Sequence, residues 1–240
     1  MPSTVWDAEL AQTYDSTHAD MFRPTVVDPA VDVLVELAGG EPALEFAVGT
    51  GRIALPLAAR GVKVSGIELS PHMAAQLEAK PGAAAVDVTI GDMTSTRVPG
   101  TFGLVFLLFN TIMNVTSQEE QIAVFQNAAD HLRPGGRFLV EGGVSMGAGR
   151  RPQVFAMADD HIGIDTFDDP LQQLSSSHHW WVVDSRLVHR AQTFRYIYPS
   201  EMDLIGRLGG LRLTERWGGW DKASFGVQSR NHVAVFEKVR

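Results

Sequence analysis

Residues 43–59 read ALEFAVGTGRIALPLAA, and this stretch decides how the rest of the chain is organised. The short apolar run 43–47 predicts a buried strand. Residues 48–51 then turn the chain, and apolar residues recur at helical spacing over 53–58 until Gly61 ends the helix. A strand, a glycine turn and a helix in this order form the first unit of a dinucleotide-binding type of fold.

The turn has the features of a ligand site. Gly49 and Gly51 let the backbone approach a ligand closely. The helix that follows offers N–H donors without partners at its first turn. Glu45 is an acid inside an apolar strand, where burial is costly without a partner such as a ligand amine.

Two further acids end the next apolar runs. Glu68 closes the run KVSGIE, at a distance from the glycine turn where a carboxylate can accept two ribose hydroxyls. Asp92 follows Gly91 at the end of VDVTIGD, where the acid or its neighbouring amide could meet an adenine amino group. A nicotinamide enzyme requires only the first of these two acids.

Four motifs resemble, in order and spacing, those of class I S-adenosylmethionine-dependent methyltransferases, and they are EFAVGTGR, IELSPHM, GDM and LRPGGRFLV. They cover residues 43–141. The run from the glycine turn to SPHM is similar to a bacterial subgroup that modifies small molecules and includes amino-sugar N-methyltransferases of antibiotic pathways. The chain departs from the family at Ala47 and Val48, where a residue such as Cys or Gly is usual.

The resemblance implies S-adenosyl-L-methionine as the cofactor and a small-molecule acceptor methylated on oxygen or nitrogen. It also implies that Tyr14 and Asp15 close over the cofactor and that Phe109 or Asn110 faces its methionine chain. Met73 either contacts the cofactor or packs in the core. The expected cofactor-binding residues are Tyr14, Glu45, Ala47, Gly49, Thr50, Gly51, Arg52, Glu68, Leu69, Met73, Gly91, Asp92, Met93, Phe109 and Asn110.

Composition excludes several classes of function. The net charge of −8 argues against a nucleic-acid partner, and Arg150–Arg151 is the only adjacent basic pair. The chain has no cysteine, so neither disulfides nor thiolate chemistry is expected. No apolar run approaches the roughly 20 residues of a membrane span. The N-terminus does not resemble a signal peptide, so a cytoplasmic protein is expected. No metal site is expected, and the aromatics of the N-terminal segment and the lid could serve a homodimer.

The predicted fold is α/β, with a Rossmann-like seven-stranded, mostly parallel sheet that has helices on both faces and an antiparallel last strand. We expect one methyltransferase domain with an N-terminal cap (1–27), a cofactor-binding core (28–141), a β-rich lid (142–198) and the end of the core sheet (199–240). The lid is inserted after the fifth strand, at the sheet edge where ligands bind. Asp28 is expected to cap the first core helix, with Pro29 in its first turn, and Ser200 to cap the last.

Catalytic and substrate-binding residues are expected in the lid and at the end of the fifth strand. Candidate bases are His179, His178 and Glu141, with His161 and His189 as further histidines. Because side chains alternate along a strand, only one of His178 and His179 can face the pocket. A histidine in a strand with two covered faces is more often a packing or surface residue than a base. Four aromatic residues could line the acceptor site or pack in the core and lid, and they are Tyr196, Tyr198, Trp217 and Trp220.

Two alternatives stay open at this point. A nicotinamide-dependent oxidoreductase would share the glycine turn, but Glu45, Asp92 and the absence of a Tyr-x-x-x-Lys pair weaken it. A catalytically silent cofactor-binding protein of the same fold is also compatible, since the substrate half has no diagnostic motif.

Overall fold

The computed structural model describes residues 6–144, 152–183 and 185–239, so the Arg150–Arg151 pair lies outside the described residues. The chain begins with α1 (Ala8–Thr17) and α2 (Pro24–Ala38), separated by a short 3-10 turn. None of the helices in these ranges is long and apolar enough to cross a membrane.

Five parallel strands, with helices between all but β3 and β4, form the first part of the core. Strand β1 lies between β2 and β4, and β3 and β5 extend the sheet on either side. The elements are β1 (Ala43–Phe46), α3 (Ala54–Ala59), β2 (Val64–Glu68), α4 (Pro71–Glu78), β3 (Val86–Ile90), β4 (Phe102–Leu107), α5 (Gln118–His131) and β5 (Leu132–Gly143).

The chain then leaves the core and forms a second sheet, which we call the lid. Its four strands are antiparallel and neighbour one another in chain order. They are β6 (Gln153–Met157), β7 (His161–Asp169), β8 (Leu174–Val183) and β9 (Arg186–Arg195). The predicted β-rich insertion after the fifth strand is therefore confirmed.

After the lid, α6 (Pro199–Leu208), β10 (Leu211–Trp217) and β11 (Asn231–Lys238) complete the core. The strand order is β3-β2-β1-β4-β5-β11-β10, and β11 runs antiparallel to both of its neighbours. The predicted sheet of six parallel strands and an antiparallel last strand is confirmed.

Successive side chains along a strand point to opposite faces of the sheet, and helices cover both faces. Ala43 belongs to a cluster with α2 and α3, whereas Leu44 and Phe46 belong to a cluster with α5 and α6. Every residue of β4 is buried, as a central parallel strand requires. This packing holds the carboxyl ends of β1, β2 and β4 side by side beneath the lid.

Two predicted helix starts are wrong. Helix α2 begins at Pro24 rather than after Asp28, so Pro29 lies inside the helix. Helix α6 begins at Pro199, and the side chain of Ser200 does not cap it. In both cases a proline occupies the first helical position, where its missing N–H costs nothing and its fixed φ angle suits the helix.

Candidate functional site

The glycine turn between β1 and α3 forms one wall of the site. Ala47, Gly49 and Gly51 all adopt left-handed backbone, with φ angles of 53°, 58° and 82°. A Cβ atom at Gly51 would lie 2.9 Å from Leu77 Cγ, so this glycine allows α4 to pack closely. Gly49 instead lines a small cavity of about 60 Å³. Gly51 is therefore required for the packing of α4, whereas Gly49 forms part of the cavity wall.

Glu45 lies buried at the floor of this small cavity. Its Oε2 atom is buried and has no hydrogen-bond partner among the described residues. Burial raises the pKa of the Glu45 carboxyl from 4.5 to about 8, against the opposing effect of the Arg52 guanidinium. An orphaned buried carboxylate oxygen beside a cavity marks a place for a cationic or hydrogen-bond-donating ligand group.

Arg52 and Thr50 share this cavity with Glu45. The Arg52 guanidinium lies 5.1 Å from the centre of the Phe109 ring and donates to the Met21 carbonyl at 3.4 Å. It is therefore held in place over the cavity rather than extended into solvent.

Glu68 links the glycine turn to the second strand. Its Oε2 accepts a hydrogen bond from the Gly49 N–H at 2.8 Å, and its Oε1 accepts one from the Ser70 N–H at 2.8 Å. Burial raises the pKa of this carboxyl as well. Glu68 also lines a second cavity of about 400 Å³, together with Ala47 and Leu69. A carboxylate can accept about four hydrogen bonds, so Glu68 retains acceptor capacity for a ligand hydroxyl beyond its backbone donors.

The residues expected near an adenine are only partly brought together. Met73 is buried, with its Cε atom close to Gly49. Gly91, Asp92 and Met93 do not line the cavities described here. The Asp92 Oδ1 atom accepts hydrogen bonds from the backbone and hydroxyl of Thr94, and Met93 lies in the core.

The turn after β4 stands where the cavities meet. Phe109 and Asn110 both adopt left-handed backbone, with φ angles of 57° and 58°. Such strain in non-glycine residues is typical of functional sites. Phe109 lines the small cavity and also a larger cleft of about 820 Å³ under the lid. Ala47 and Thr111 line both the small and the 400 Å³ cavity. The three spaces therefore adjoin one another.

The N-terminal helix α1 lies across this junction. Asp15 accepts a hydrogen bond from the Thr50 hydroxyl at 2.6 Å and pairs with Lys80. Lys80 in turn donates to the Thr50 carbonyl at 2.7 Å. Tyr14 lines the small cavity, and burial raises the pKa of its phenol. Helix α1 is thus fastened to the glycine turn directly, through Asp15 and Thr50, and indirectly, through Lys80.

The 820 Å³ cleft lies between the ends of β4 and β5 and the inner face of the lid. Five aromatic side chains line it, those of Phe109, Phe155, Phe167, Phe194 and Tyr196. The polar lining comes from Asn110, Gln153, Asp165, Ser175, Ser177, His179 and Arg230. Such a cleft suits a small molecule with an apolar body and a few polar groups.

The lid's histidines divide between its two faces. His179 lines the cleft, and its Nδ1 lies 2.9 Å from His161 Nε2. Burial lowers the pKa of the His179 imidazole. His178 lies on the outer face, where it contacts Thr166 at 3.2 Å and His189 at 3.1 Å. The structure therefore brings His179, and not His178, to the cleft.

Glu141 and the four aromatic residues that were predicted to line the acceptor site lie in different environments. Both Glu141 oxygens are engaged, one by the Phe109 N–H at 2.7 Å and one by the Trp220 indole N–H at 2.9 Å. Trp217 is buried in the core. Tyr198 is partly exposed and packs edge-on against Tyr196. Of these residues only Tyr196 lines the cleft.

Several residues at the site were not predicted from sequence. Asp165 lines the cleft, and within the described residues its carboxylate has no hydrogen bond or ion pair. His18 packs between Tyr14 and Phe109. The alternation of side chains along β7 could have predicted that Asp165 faces the pocket. No local feature of the sequence identifies His18 as a site residue. No group of three or more His, Asp or Glu side chains in the described ranges could hold a metal ion.

Comparison with known proteins gives a family match over part of the chain and relatives that match almost all of it. Residues 43–136 match the family described as "Methyltransferase domain". A curated relative, the cypemycin N-terminal methyltransferase of a Streptomyces species, is 26% identical over 98% of both chains.

Two solved methyltransferase structures have a similar fold. The CcbJ methyltransferase of Streptomyces caelestis is 31% identical and superposes with a TM-score of 0.86 over 96% of each chain. CalS10 of Micromonospora echinaspora, an amino pentose methyltransferase solved with SAM bound, has 19% identity and a TM-score of 0.71, over 89% of this chain and 90% of its own. At that lower identity the likeness concerns the fold alone.

Proposed function

Because this chain belongs to the class I S-adenosylmethionine-dependent methyltransferases, we propose that it transfers a methyl group from S-adenosyl-L-methionine to a nitrogen of a small molecule bound beneath the lid. Membership rests on the 31% identity to a methyltransferase over almost the whole chain and on the domain match at 43–136. The observation that carries the proposal is the 820 Å³ cleft, with Asp165 and His179 in its wall, adjoining the pocket of Glu45.

The residues around the glycine turn fit this cofactor. The buried Oε2 of Glu45 lacks a partner among the described residues, and the cofactor's ammonium group would supply one. Glu68 would accept the ribose hydroxyls while it keeps its hydrogen bonds from the backbone. When bound, the cofactor supplies a methyl group activated by a sulfonium. Methyl transfer creates little new charge, so positioning and exclusion of water can provide much of the rate.

Two observations favour an amine acceptor, the charge of Asp165 in the cleft and the name of one relative. Asp165 is a half-buried carboxylate without a hydrogen bond or ion pair in the described residues, and it lies in the wall of the cleft. An ammonium group of the acceptor would complete it. The cypemycin relative bears the name of an N-terminal methyltransferase, which is also an amine methylation.

His179 is the residue we propose as the general base. An ammonium must lose a proton before its nitrogen can accept a methyl group. The imidazole of His179 faces the cleft, and burial lowers its pKa, so that it is unprotonated at neutral pH. It can therefore take the proton that the acceptor releases.

Two measurements test this function. Calorimetry with S-adenosylhomocysteine and with NAD distinguishes the methyltransferase from a nicotinamide enzyme, and we expect binding of the former only. Release of S-adenosylhomocysteine is then measured with a panel of amines and with the matched alcohols. We expect turnover with one or more amines. Binding without turnover for every acceptor would instead support a catalytically silent protein, and turnover of alcohols alone would contradict an amine acceptor.

A homodimer is the oligomeric state that we propose. The outer face of the lid exposes Val154, Ile162, Val182 and Leu187, and apolar side chains gathered on one face commonly mark an interface. Analytical ultracentrifugation should give twice the chain mass of 26.1 kDa, and a monomer at micromolar concentration would contradict the proposal.

A further inference from the structure

The two histidines at the inner face of the lid form a defined pair. His161 Nε2 and His179 Nδ1 are 2.9 Å apart, and the planes of the two rings differ by 3°. Stacked rings cannot approach this closely, so the parallel rings must meet edge to edge, nitrogen to nitrogen. This is the geometry of a hydrogen bond in which one ring donates and the other accepts.

The surrounding lid side chains hold the pair in place. Gly163 lies directly opposite His179 in the register of β7 and β8, and His161 lies opposite Trp181. The Trp181 ring is within 7° of the plane of His161 and 6° of that of His179. The Phe155 ring meets His179 edge-on at 5.2 Å between centres. His179 therefore has little freedom to rotate away from its partner.

We propose that His161 is a positioning residue that accepts the Nδ1–H of His179 and so leaves His179 Nε2, which lies 3.4 Å from the Ser177 hydroxyl in the cleft wall, unprotonated toward the acceptor. This inference rests on the proposed function, in which His179 is the base. The proton leaves the acceptor nitrogen as its N–H bond breaks, and it forms a new N–H bond at His179 Nε2. The Nδ1–H of the resulting imidazolium then makes a charge-assisted hydrogen bond to His161 Nε2. The opposite tautomer would present an N–H to the acceptor and could not take its proton.

Several charged and titratable groups face His179. Asp165 lies on the same strand as His161, and its charge favours the protonated imidazole. The protonated form is disfavoured by His161, by His178 of β8 and by His18, which follows the end of α1. Arg190 lies opposite His179 in the register of β8 and β9 and pairs with Glu9. Burial is the largest influence and lowers the pKa of His179. The base is therefore available at neutral pH, and its protonation at lower pH removes it.

The tautomer of His179 can be measured without any turnover. In protein labelled with nitrogen-15 at histidine, long-range proton–nitrogen correlation spectra report which ring nitrogen carries hydrogen. We expect the Nδ1–H tautomer for His179 in the unmodified protein at pH 8. The variant His161→Phe keeps an aromatic ring beside Trp181 but has no acceptor, so we expect it to lose this preference. An Nε2–H tautomer in the unmodified protein would overturn the proposal.

Kinetics supply the second measurement. With a productive acceptor, we expect His161→Phe to lower kcat at least about 10-fold, a part of the roughly 10²–10⁴-fold that a positioned base contributes. The dissociation constant for S-adenosylhomocysteine should not change. His161→Gln, whose amide oxygen can still accept the Nδ1–H, should restore most of the rate and the pH profile.

The outer face of the lid offers a matched control. His178 and His189 form a similar edge-to-edge pair at 3.1 Å, away from the cleft. His189→Phe should therefore leave kcat unchanged. Equal effects of His161→Phe and His189→Phe on kcat would show a merely structural role and overturn the proposal. If no acceptor is turned over, the proposed function fails, whereas the spectra still decide whether His161 sets the tautomer.

Discussion

The Glu141 carboxylate accepts a hydrogen bond from the Phe109 backbone N–H at 2.7 Å, between the end of β5 and the turn after β4. Phe109 is one of two consecutive left-handed residues in that turn, and its ring borders both the small cavity and the cleft. The other Glu141 oxygen accepts from Trp220. Glu141 thus holds a strained turn at the point where cofactor and acceptor would meet.

This contact predicts a structural role for Glu141 rather than the removal of a proton. Glu141→Ala should lower the free energy of unfolding by about 1–3 kcal/mol, because two donors lose their acceptor. Glu141→Gln should leave the pH dependence of kcat unchanged. Urea denaturation and a pH–rate profile measure the two effects, and Trp220→Phe, which removes a single donor, serves as the control. A shifted basic or acidic limb in Glu141→Gln would restore Glu141 as a candidate base.

Glu45 predicts a pH dependence of both stability and cofactor binding. Burial raises its pKa in the folded protein from 4.5 to about 8, so between these values the folded state binds more protons than the unfolded state. Its contribution to stability is therefore fully present below about pH 4.5 and is lost as the pH rises through about 8. Glu45→Gln should flatten this dependence in thermal melts of the protein without cofactor.

The same carboxylate should make binding of a cationic ligand proton-linked. S-adenosylmethionine should bind Glu45 as the carboxylate, so its affinity should rise from pH 6 to 8 with release of protons. Calorimetry in buffers of different ionisation enthalpy measures that release. Glu45→Gln should abolish it, and equal proton release in the variant would place the titrating group elsewhere.

Glu68 predicts a combined loss of stability and affinity. Glu68→Ala should weaken cofactor binding by about 1–3 kcal/mol, the usual cost of leaving buried hydrogen-bonding groups unpaired. Because its oxygens also accept from the N–H groups of Gly49 and Ser70, the variant should unfold more easily as well. Binding is therefore compared at a temperature where circular dichroism shows the variant to be folded. An unchanged affinity there would remove Glu68 from the site.

The two neighbouring lid histidines predict opposite outcomes. His179→Ala should lower kcat by about 10²–10⁴-fold, and the loss should shrink as the pH rises and the acceptor deprotonates unaided. His178→Ala should have little effect on kcat, since its side chain contacts Thr166 and His189 on the outer face. Both variants are assayed with one acceptor across pH. Full activity in His179→Ala would mean that catalysis rests on positioning alone or on another base.

The contact between α1 and the glycine turn predicts an effect on the cofactor alone. Asp15→Ala removes the acceptor of the Thr50 hydroxyl and the partner of Lys80. It should raise the dissociation constant of S-adenosylhomocysteine, while kcat at saturating cofactor stays close to normal, because α1 does not carry the proposed base. Arg23→Ala, which breaks an exposed ion pair near α1, is the control. A matching change in both variants would indicate general loosening of the segment.

Local patterns in the sequence predicted the elements that make up the core. The apolar run 43–47 was predicted to be a buried strand and contains β1, and the glycine turn after β1 is where it was expected. Such features depend on side-chain period, glycine and proline within a few residues. Where two local signals competed, as at Pro24 and Asp28, the prediction chose the wrong start.

Side-chain partners were decided by the tertiary structure alone. Alternation along β8 determined that only one of His178 and His179 faces the cleft, but which one depends on how the lid sheet packs over the core. Glu141 was a candidate base by sequence, yet its partners, Phe109 and Trp220, come from distant parts of the chain. The side-chain period and the caps of a helix or strand are encoded by residues close in sequence. The hydrogen-bond partners of a side chain such as Glu141 are brought to it only by the packing of the whole fold.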